Sequence, residues 1–405
     1  MKFKSKRLSN GLNIIGEINE DAKSAAVGFF VKTGSRDETM DINGVSHFLE
    51  HMLFKGTDKL SAFEVNEAFD RTGAQFNAFT NEEMTVFYAA VLPEYLAEIT
   101  ELWAHLMRPS LRDDDFDMEK NVIKEEIAMY QDLPNFEVMD QCRSLHFEGH
   151  PCGHSVLGTP ASIDNLTSTQ MRNYFNNRYA PNNMLLSVVG NFDWDSIAEL
   201  AEKLCGQWQQ QPVKREVTPF AGTFKKNRAQ KANLVSEHIC MMSAGVSFQD
   251  ERRFAAYILA SVIGDVYGSR YFWELIDNAV AQNAVMQYGA MDGTGALYSY
   301  FQCGKENVDK VLNIVNSIFK DITDSGITED ELTKARNKIL SSLVIKNELP
   351  MGRLVDLGFN WVYNNQYITI KDEIDAVKKV TIADIKALIA DIKPSLYTQF
   401  SVGPQ

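Results

Sequence analysis

The feature that most constrains the fold is an order of strand-like and helix-like segments that recurs once along the 405-residue chain. In the first half, LNIIGEI and MLLSVVGNF predict strands, and DDFDMEKNVIKEEIAMYQD has the apolar spacing of a helix. In the second half, ICMMSAGVSF and GALYSYFQCG predict strands, with helical patterns before and after the second of them. The sequence therefore predicts an α+β fold of two similar domains, each a mixed, mainly antiparallel β-sheet packed with α-helices.

The boundary between the domains is predicted by a change in composition. The segment QQQPVKREVTPFAGTFKKNRAQ is polar and basic and contains two prolines, which is typical of a linker. We expect an N-terminal domain over residues 1–212, a linker over residues 213–230, and a C-terminal domain of similar fold over residues 231–405.

Charge and cysteine content exclude several classes of function. The net charge of −14 argues against nucleic acid or an anionic membrane as the main partner, because both attract basic surfaces. No run of 18 apolar residues predicts a membrane span, and the basic start MKFKSKR lacks the apolar segment of a signal peptide. The five scattered cysteines suit free thiols in a reducing compartment. We therefore expect a cytoplasmic protein.

The stretch GVSHFLEHMLFKGT carries the clearest chemical signal. On a helix, His47 and His51 lie four residues apart on one face, with Glu50 beside them and apolar residues opposite. Two such histidines can supply neutral nitrogens to Zn²⁺, and an adjacent carboxylate can accept a proton from water. The alternative is a hydrogen-bonded polar network without metal, so a third ligand is needed to strengthen the assignment.

A third ligand is predicted on the helix that contains EKNVIKEE. The residues three and four positions away from Glu126 are all apolar, and a carboxylate in such surroundings is costly unless it is paired or binds metal. Glu119, seven residues earlier, falls on the same face, whereas the competitor Glu125 points about 100° away. We predict that Glu126 is a metal ligand and that Glu119 orients the ligands from behind.

These residues resemble a known family. GVSHFLEHMLFKGT is similar to the inverted zinc motif of the pitrilysin/insulinase peptidases, and EKNVIKEE, FNAFTNEEMTVFYAAVL, HPCGHSVLGTPASIDNLT and RYAPNNMLLSVVGNF match as well. The most similar branch is that of the short, mitochondrial-processing-peptidase-like members, and the chain looks like the zinc-bearing subunit.

The resemblance implies a zinc endopeptidase that encloses peptides or unfolded polypeptides in a chamber made by two chains. It implies one Zn²⁺ per chain held by His47, His51 and Glu126, with catalytic roles for Glu50 and Glu119. The implied substrate-binding strand contains Asn77, Ala78, Phe79 and Thr80.

One departure from the family's pattern concerns the second half of the chain. Family members usually carry an arginine and a tyrosine seven residues apart, which hold the substrate and stabilise the oxyanion. Here Ile276 and Asn283 stand at those positions, and neither side chain can replace the pair. We therefore expect a heterodimer with a homologous subunit that carries the pair, with a homodimer as the alternative.

Two further readings stay open at this stage. The chain could be a non-catalytic scaffold of the same fold, like the family's subunits in respiratory complexes, although a scaffold has no need to keep the zinc motif. The segment HFEGHPCGH, with His146, His150, Cys152 and His154, could bind a second metal, but we expect an ordinary loop.

Overall fold

A computed structural model describes residues 1–405. The strands are β1 Lys2–Arg7, β2 Asn13–Ile18, β3 Ala25–Val31, β4 Gln75–Thr80, β5 Thr85–Val91, β6 Met184–Gly190, β7 Lys226–Gln230, β8 Ser236–Gly245, β9 Asn283–Ala290, β10 Gly295–Gly304 and β11 Tyr397–Gly403. The α-helices are α1 Val45–Leu53, α2 Ala62–Thr72, α3 Leu96–Leu106, α4 Asp113–Gln131, α5 Pro134–His146, α6 Pro160–Asn165, α7 Ser168–Arg178, α8 Trp194–Cys205, α9 Arg253–Gly264, α10 Val308–Ser325, α11 Glu329–Asn347, α12 Pro350–Asn364, α13 Ile370–Lys379 and α14 Ile382–Ile392.

The chain forms two compact units, each with one β-sheet and its own helices, and the predicted α+β fold is confirmed. The first unit comprises residues 1–128, 154–215 and 345–368. The second comprises residues 129–153, 216–344 and 369–405. No helix combines the length and apolar character that crossing a membrane requires.

The first unit is built on a six-stranded sheet in the order β1-β2-β6-β3-β5-β4. All pairs are antiparallel except β2 with β6. Every residue of β3 and β6 is buried, because helices cover both faces of the sheet. On one face Phe87 packs against Trp103 of α3, and on the other Phe30 meets α12 at Gly358. A Cβ atom at Gly358 would lie 2.2 Å from the Phe30 ring, so only glycine allows α12 to approach this closely.

The second unit repeats this plan on a five-stranded sheet in the order β7-β11-β8-β10-β9. Its one parallel pair is β7 with β11. Residues of α9, α10 and α14 form the large apolar core against one face. On the other face, Val138 and Cys142 of α5 join Cys240 and Phe400 from the sheet.

The units depart from a simple division into two halves. Residues 129–153, which include α5, belong to the second unit, and residues 345–368, which include α12, belong to the first. Residues Lys226–Gln230 of the expected linker form β7, which pairs with β11 through backbone hydrogen bonds. Its sequence KNRAQ lacks apolar alternation, so side chains alone did not predict this strand.

Candidate metal centre

Helix α1 carries the two motif histidines, and a buried carboxylate holds its N-terminus. Glu38 accepts hydrogen bonds from the backbone N–H groups of Gly44 and Ser46, both at 2.7 Å, and from Asn43 Nδ2 at 2.8 Å. A carboxylate here satisfies N–H groups that have no partner within the helix, and it suits the helix dipole. Burial raises the pKa of Glu38 to about 7, although these hydrogen bonds act in the opposite direction. The first turn of α1 is therefore fixed by contacts that do not involve the histidines.

Three side chains from α1 and α4 converge as a possible metal site. One ligand-type atom from each of His47, His51 and Glu126 lies within 4.8 Å of the other two. Glu126 Oε2 is 3.7 Å from His47 Nε2 and 3.4 Å from His51 Nε2. Two ligand atoms bound ~2.1 Å from a tetrahedral zinc would be about 3.4 Å apart. The two distances from Glu126 are close to this value, and the chemistry of all three atoms fits zinc.

The charges of the three side chains also suit a cation. Burial, followed by the charge of His51, lowers the pKa of His47 to about 4. Burial would lower the pKa of His51 too, but Glu119 and Glu126 together raise it to about 9. The hydrogen bond with His51 lowers the pKa of Glu126, against the opposing effect of burial. His47 is therefore neutral and Glu126 ionised, which are the forms that bind a metal. His51 would release a proton when a metal binds.

Glu119 contacts Nδ1 of the His51 ring, whereas Glu126 lies near the other ring nitrogen, Nε2. Glu119 Oε1 is 2.8 Å from His51 Nδ1, and Glu119 Oε2 forms an ion pair with Lys55. Burial opposes ionisation of Glu119, yet the contacts with His51 and Lys55 lower its pKa. A carboxylate on the second nitrogen of a ligating histidine fixes the orientation and tautomer of the ring. This arrangement leaves Nε2 of His51 directed at Glu126.

Glu50 stands on the same helix but is not one of the three converging side chains. It is half-buried, and burial raises its pKa, against the lowering effect of a hydrogen bond from Thr80. Thr80 Oγ1 donates this bond to Glu50 Oε2 at 2.6 Å. The carboxylate therefore has one oxygen bound to the protein.

The predicted substrate strand is β4, which lies at the edge of the first unit's sheet. Asn77 is exposed, and its Oδ1 accepts a hydrogen bond from the backbone N–H of Ala78. Phe79 packs against the rings of Tyr88 and Phe359. Thr80, on the opposite side of the strand from Phe79, is the member of this segment that touches the motif helix through its side chain.

One premise behind the assignment of Glu126 is wrong. Val122 and Met129 were expected on a buried face of α4, but they are 43% and 54% exposed. The buried residues of the helix are Phe116, Glu119, Ile123 and Ile127. Glu126 is half-buried at the border between the buried face and the exposed face of α4. Helical periodicity therefore located the correct region of α4, but it placed the centre of the buried face about 60° from where it lies in the structure.

The other sequence-predicted residues lie in less distinctive settings. Ile276 ends a short π-helical turn and packs partly into the second unit's core, whereas Asn283 is exposed at the start of β9. The four residues of the possible second cluster do not gather: the only three His, Cys, Asp or Glu side chains close enough together to hold a metal are those on α1 and α4. His146 contacts Thr398, His150 contacts Thr218 and His154 contacts Ser35.

Sequence reasoning missed Lys55 and Glu38. Lys55 lies inside the quoted motif, four residues after His51, and that spacing was the available signal. Glu38 had no such signal, because it reaches the N-terminus of α1 across a connecting segment that contains the short 3-10 turn Met40–Ile42.

Comparison with known proteins gives matches along most of the chain. Residues 14–160 match the family described as "Insulinase (Peptidase family M16)", and residues 165–339 match "Peptidase M16 inactive domain". The "Uncharacterized zinc protease YmxG" of Bacillus subtilis is 30% identical over 401 residues, which are 98% of this chain and 97% of that protein. An "Uncharacterized zinc protease" of Rickettsia felis is 27% identical, covering 99% and 98%.

Solved structures agree in fold. A protease from Helicobacter pylori superposes with a TM-score of 0.93 at 20% identity, with both chains covered completely. A peptidase M16 inactive domain from Pseudomonas fluorescens gives 0.92 at 16% identity, covering 100% of this chain and 98% of that one. A chain of Complex III2 from Candida albicans gives 0.84 at 18% identity, covering 99% and 95%.

Proposed function

The chain belongs to the insulinase family of peptidases and is a zinc metallopeptidase; from this premise we propose that it is an endopeptidase acting on peptides or unfolded polypeptides. His47, His51 and Glu126 would hold one Zn²⁺, and Glu50 would act as general base. The observation that carries the proposal is the convergence of the three ligand-type side chains within 4.8 Å. Glu119 would keep His51 oriented through the contact with Nδ1.

The proposed chemistry divides between the metal and the protein. When bound, zinc would polarise the carbonyl group of the scissile bond and make a water molecule more acidic. Glu50 would accept the proton of the attacking water and pass it to the leaving amine. A general base works best when its pKa lies near the working pH, and burial raises the pKa of Glu50 in that direction.

The edge strand β4 supports a binding mode for extended substrates. An edge strand has unpaired backbone groups, to which a peptide can add as a further strand. We propose that residues 77–80 bind the substrate in this way, mainly through their backbones. Because hydrogen bonding between backbones does not depend on the side chains of the substrate, this binding mode suits a peptidase that acts on many sequences.

A partner subunit is the second part of the proposal. The aliphatic side chain of Ile276 has no hydrogen-bond donor, and the amide of Asn283 can donate but is too short to reach where a tyrosine hydroxyl would. We propose that a homologous subunit supplies the pair in a heterodimer whose chamber encloses the peptide. The isolated chain should then cleave peptides much more slowly than the mixed complex, and full activity of the chain alone would contradict the proposal and favour a homodimer or monomer.

A scaffold without catalytic activity is the competing function, since a chain of a respiratory complex has the same fold. Against it stands the complete set of His47, His51, Glu126 and Glu50, which a scaffold does not need. Enzymatic function is therefore favoured.

The location that fits the cysteines best is the cytoplasm. All five cysteines are buried, and none of them forms a disulfide bond. Disulfide bonds are rare where the compartment is reducing, so we propose a cytoplasmic enzyme.

The decisive experiment measures zinc content and peptide cleavage on the same preparations. Glu50→Gln should retain zinc and lose cleavage by about 100-fold or more, because an amide cannot accept the proton. His51→Ala should lose zinc as well. Glu125→Gln, an exposed change on α4, is the matched control and should behave like the wild type. Cleavage by Glu50→Gln at the wild-type rate would refute the assignment of the base.

A further inference from the structure

The side chain of Thr80 is directed at the carboxylate of Glu50, with Oγ1 2.6 Å from Oε2. We propose that Thr80 is a positioning residue for Glu50: its hydroxyl holds one carboxylate oxygen and leaves the other free to accept a proton. This inference rests on the proposed function of Glu50 as the base. It gives Thr80 a different role from the substrate contact that the resemblance implies.

The hydrogen-bond directions around Thr80 support the proposal. Thr80 pairs with Thr85 across the β4–β5 hairpin, and their hydroxyl oxygens are 3.4 Å apart. The Thr85 hydroxyl donates to the backbone carbonyl of Thr33 at 3.0 Å. Thr85 has one hydroxyl proton, which this bond uses, and the Glu50 carboxylate can only accept while it is ionised. The short contact between Thr80 and Glu50 is therefore a hydrogen bond donated by Thr80.

Thr80 also stands at a rigid point, which a positioning residue requires. In the turn that follows it, Asn81 Oδ1 accepts hydrogen bonds from the backbone N–H groups of Glu83 and Met84, at 2.8 and 2.7 Å. The Glu83 carboxylate is paired with Arg36 at 2.6 Å, and both side chains are almost completely buried. The turn that ends β4 is thus fixed by the Asn81 hydrogen bonds and, through Glu83, by a buried ion pair with Arg36.

The alternation of the strand separates two tasks within the same segment. Phe79 packs against Tyr88 and Phe359, so Thr80 must point to the opposite side, towards α1. Apart from the N–H of Ala78, which donates to Asn77 Oδ1, the backbone of β4 stays available at the sheet edge while the Thr80 side chain contacts Glu50. Substrate binding by the strand and orientation of the base by its last side chain are therefore compatible.

A hydroxyl at this position has a specific effect on a glutamate. Glutamate has three rotatable side-chain bonds, and a half-buried side chain without a partner can adopt several rotamers. Small errors in the position of a reacting group cost up to about 100-fold in rate. The bond from Thr80 restricts Glu50 to rotamers in which Oε2 faces β4.

The test compares Thr80→Val, which removes the hydroxyl while keeping the shape, with Thr80→Ser, which keeps the hydroxyl. Thr80→Val should lower kcat about 10- to 100-fold, with zinc content and KM unchanged. Thr80→Ser should restore kcat to within about threefold of the wild type. The control is Thr100→Val, a buried threonine in α3 whose hydroxyl bonds only to the Leu96 carbonyl.

A second readout uses metal-free protein, so that it does not depend on catalysis. The unfolding free energies of Thr80→Val, Glu50→Ala and the double variant should be non-additive, because both single changes remove the same hydrogen bond. Thr80→Ala takes the place of Thr80→Val in both assays if the valine variant does not fold.

The outcomes separate this inference from the function on which it rests. A raised KM with unchanged kcat would assign Thr80 to substrate binding, and additive unfolding energies would show that it does not hold Glu50; either overturns the proposal. If the wild type cleaves no peptide either alone or mixed with a homologous subunit that carries the arginine and tyrosine, or if Glu50→Gln cleaves normally, the proposed function fails. The metal-free measurement still decides whether Thr80 holds Glu50 in that case.

Discussion

Replacing Glu119 by glutamine should weaken zinc binding while leaving the fold intact. The change preserves the shape of a side chain that is 3% exposed and that contacts His51 Nδ1 at 2.8 Å. It removes the charge that holds the histidine and that pairs with Lys55. Glutamine can still accept one hydrogen bond from the ring, so the ring keeps its place but becomes a less basic ligand.

The magnitude follows from the type of contact. Removing a partner that orients a metal-ligating histidine costs about 10- to 100-fold in metal affinity, which is about 1.4–2.7 kcal/mol. We expect a value in the upper part of this range, because Glu119 is buried and its charge is therefore weakly screened. Lys55 would also be left without its carboxylate partner.

The assay is competition for zinc against a chromogenic chelator at fixed pH, with circular dichroism as a check of folding. Glu125→Gln is the control, because it removes an equal charge from an exposed position of the same helix. Binding by Glu119→Gln within twofold of the wild type would refute the orienting role. An equal loss in both variants would instead attribute the effect to the general charge of α4.

Two predictions concern stability. Glu17→Gln should destabilise the protein by about 3–5 kcal/mol in chemical unfolding, because it leaves Arg353 buried without the carboxylate that it contacts at 2.8 and 3.0 Å; a loss below 1 kcal/mol would contradict this. Burial lowers the pKa of His146 to about 4, below the value of ~6.5 in an unfolded chain. Because the folded state holds this histidine neutral, folding stability is complete above pH 6.5 and falls as the pH drops towards 4, where the unfolded chain binds the extra proton. Relative to His146→Gln, the wild type should therefore lose about 2–3 kcal/mol between pH 7 and pH 4, and a pH-independent difference would refute this sign.

Local patterns were enough to predict the elements around the metal centre. Ser61 and Glu64 form a reciprocal cap at the start of α2, and Gly73 ends that helix with a positive φ angle; both features depend on residues close together in the sequence. The histidine spacing of four residues fixes the relative position of two side chains, because it depends only on helix geometry. The relative placement of two histidines on one helix is therefore among the most predictable features of such a chain.

Features that depend on long-range packing were not predictable in the same way. Helical periodicity shows that α5 and α12 have apolar faces, but it does not show which sheet each face covers. The same limit applies to α4, where Val122 and Met129 satisfy the apolar pattern and yet remain exposed. Strand β7 pairs through its backbone, which leaves little trace in its side chains.

Thr80 shows how these two kinds of information combine at the site. A strand gives its side chains one of two directions, and the sequence alone cannot decide which direction faces a given helix. In the structure, the aromatic packing of Phe79 takes one side of β4, and this leaves Thr80 facing Glu50. The orientation of the proposed base therefore depends on a hydrophobic contact on the opposite face of the strand. For this reason a change of Phe79 to a small residue should lower kcat through Thr80, although Phe79 does not touch Glu50.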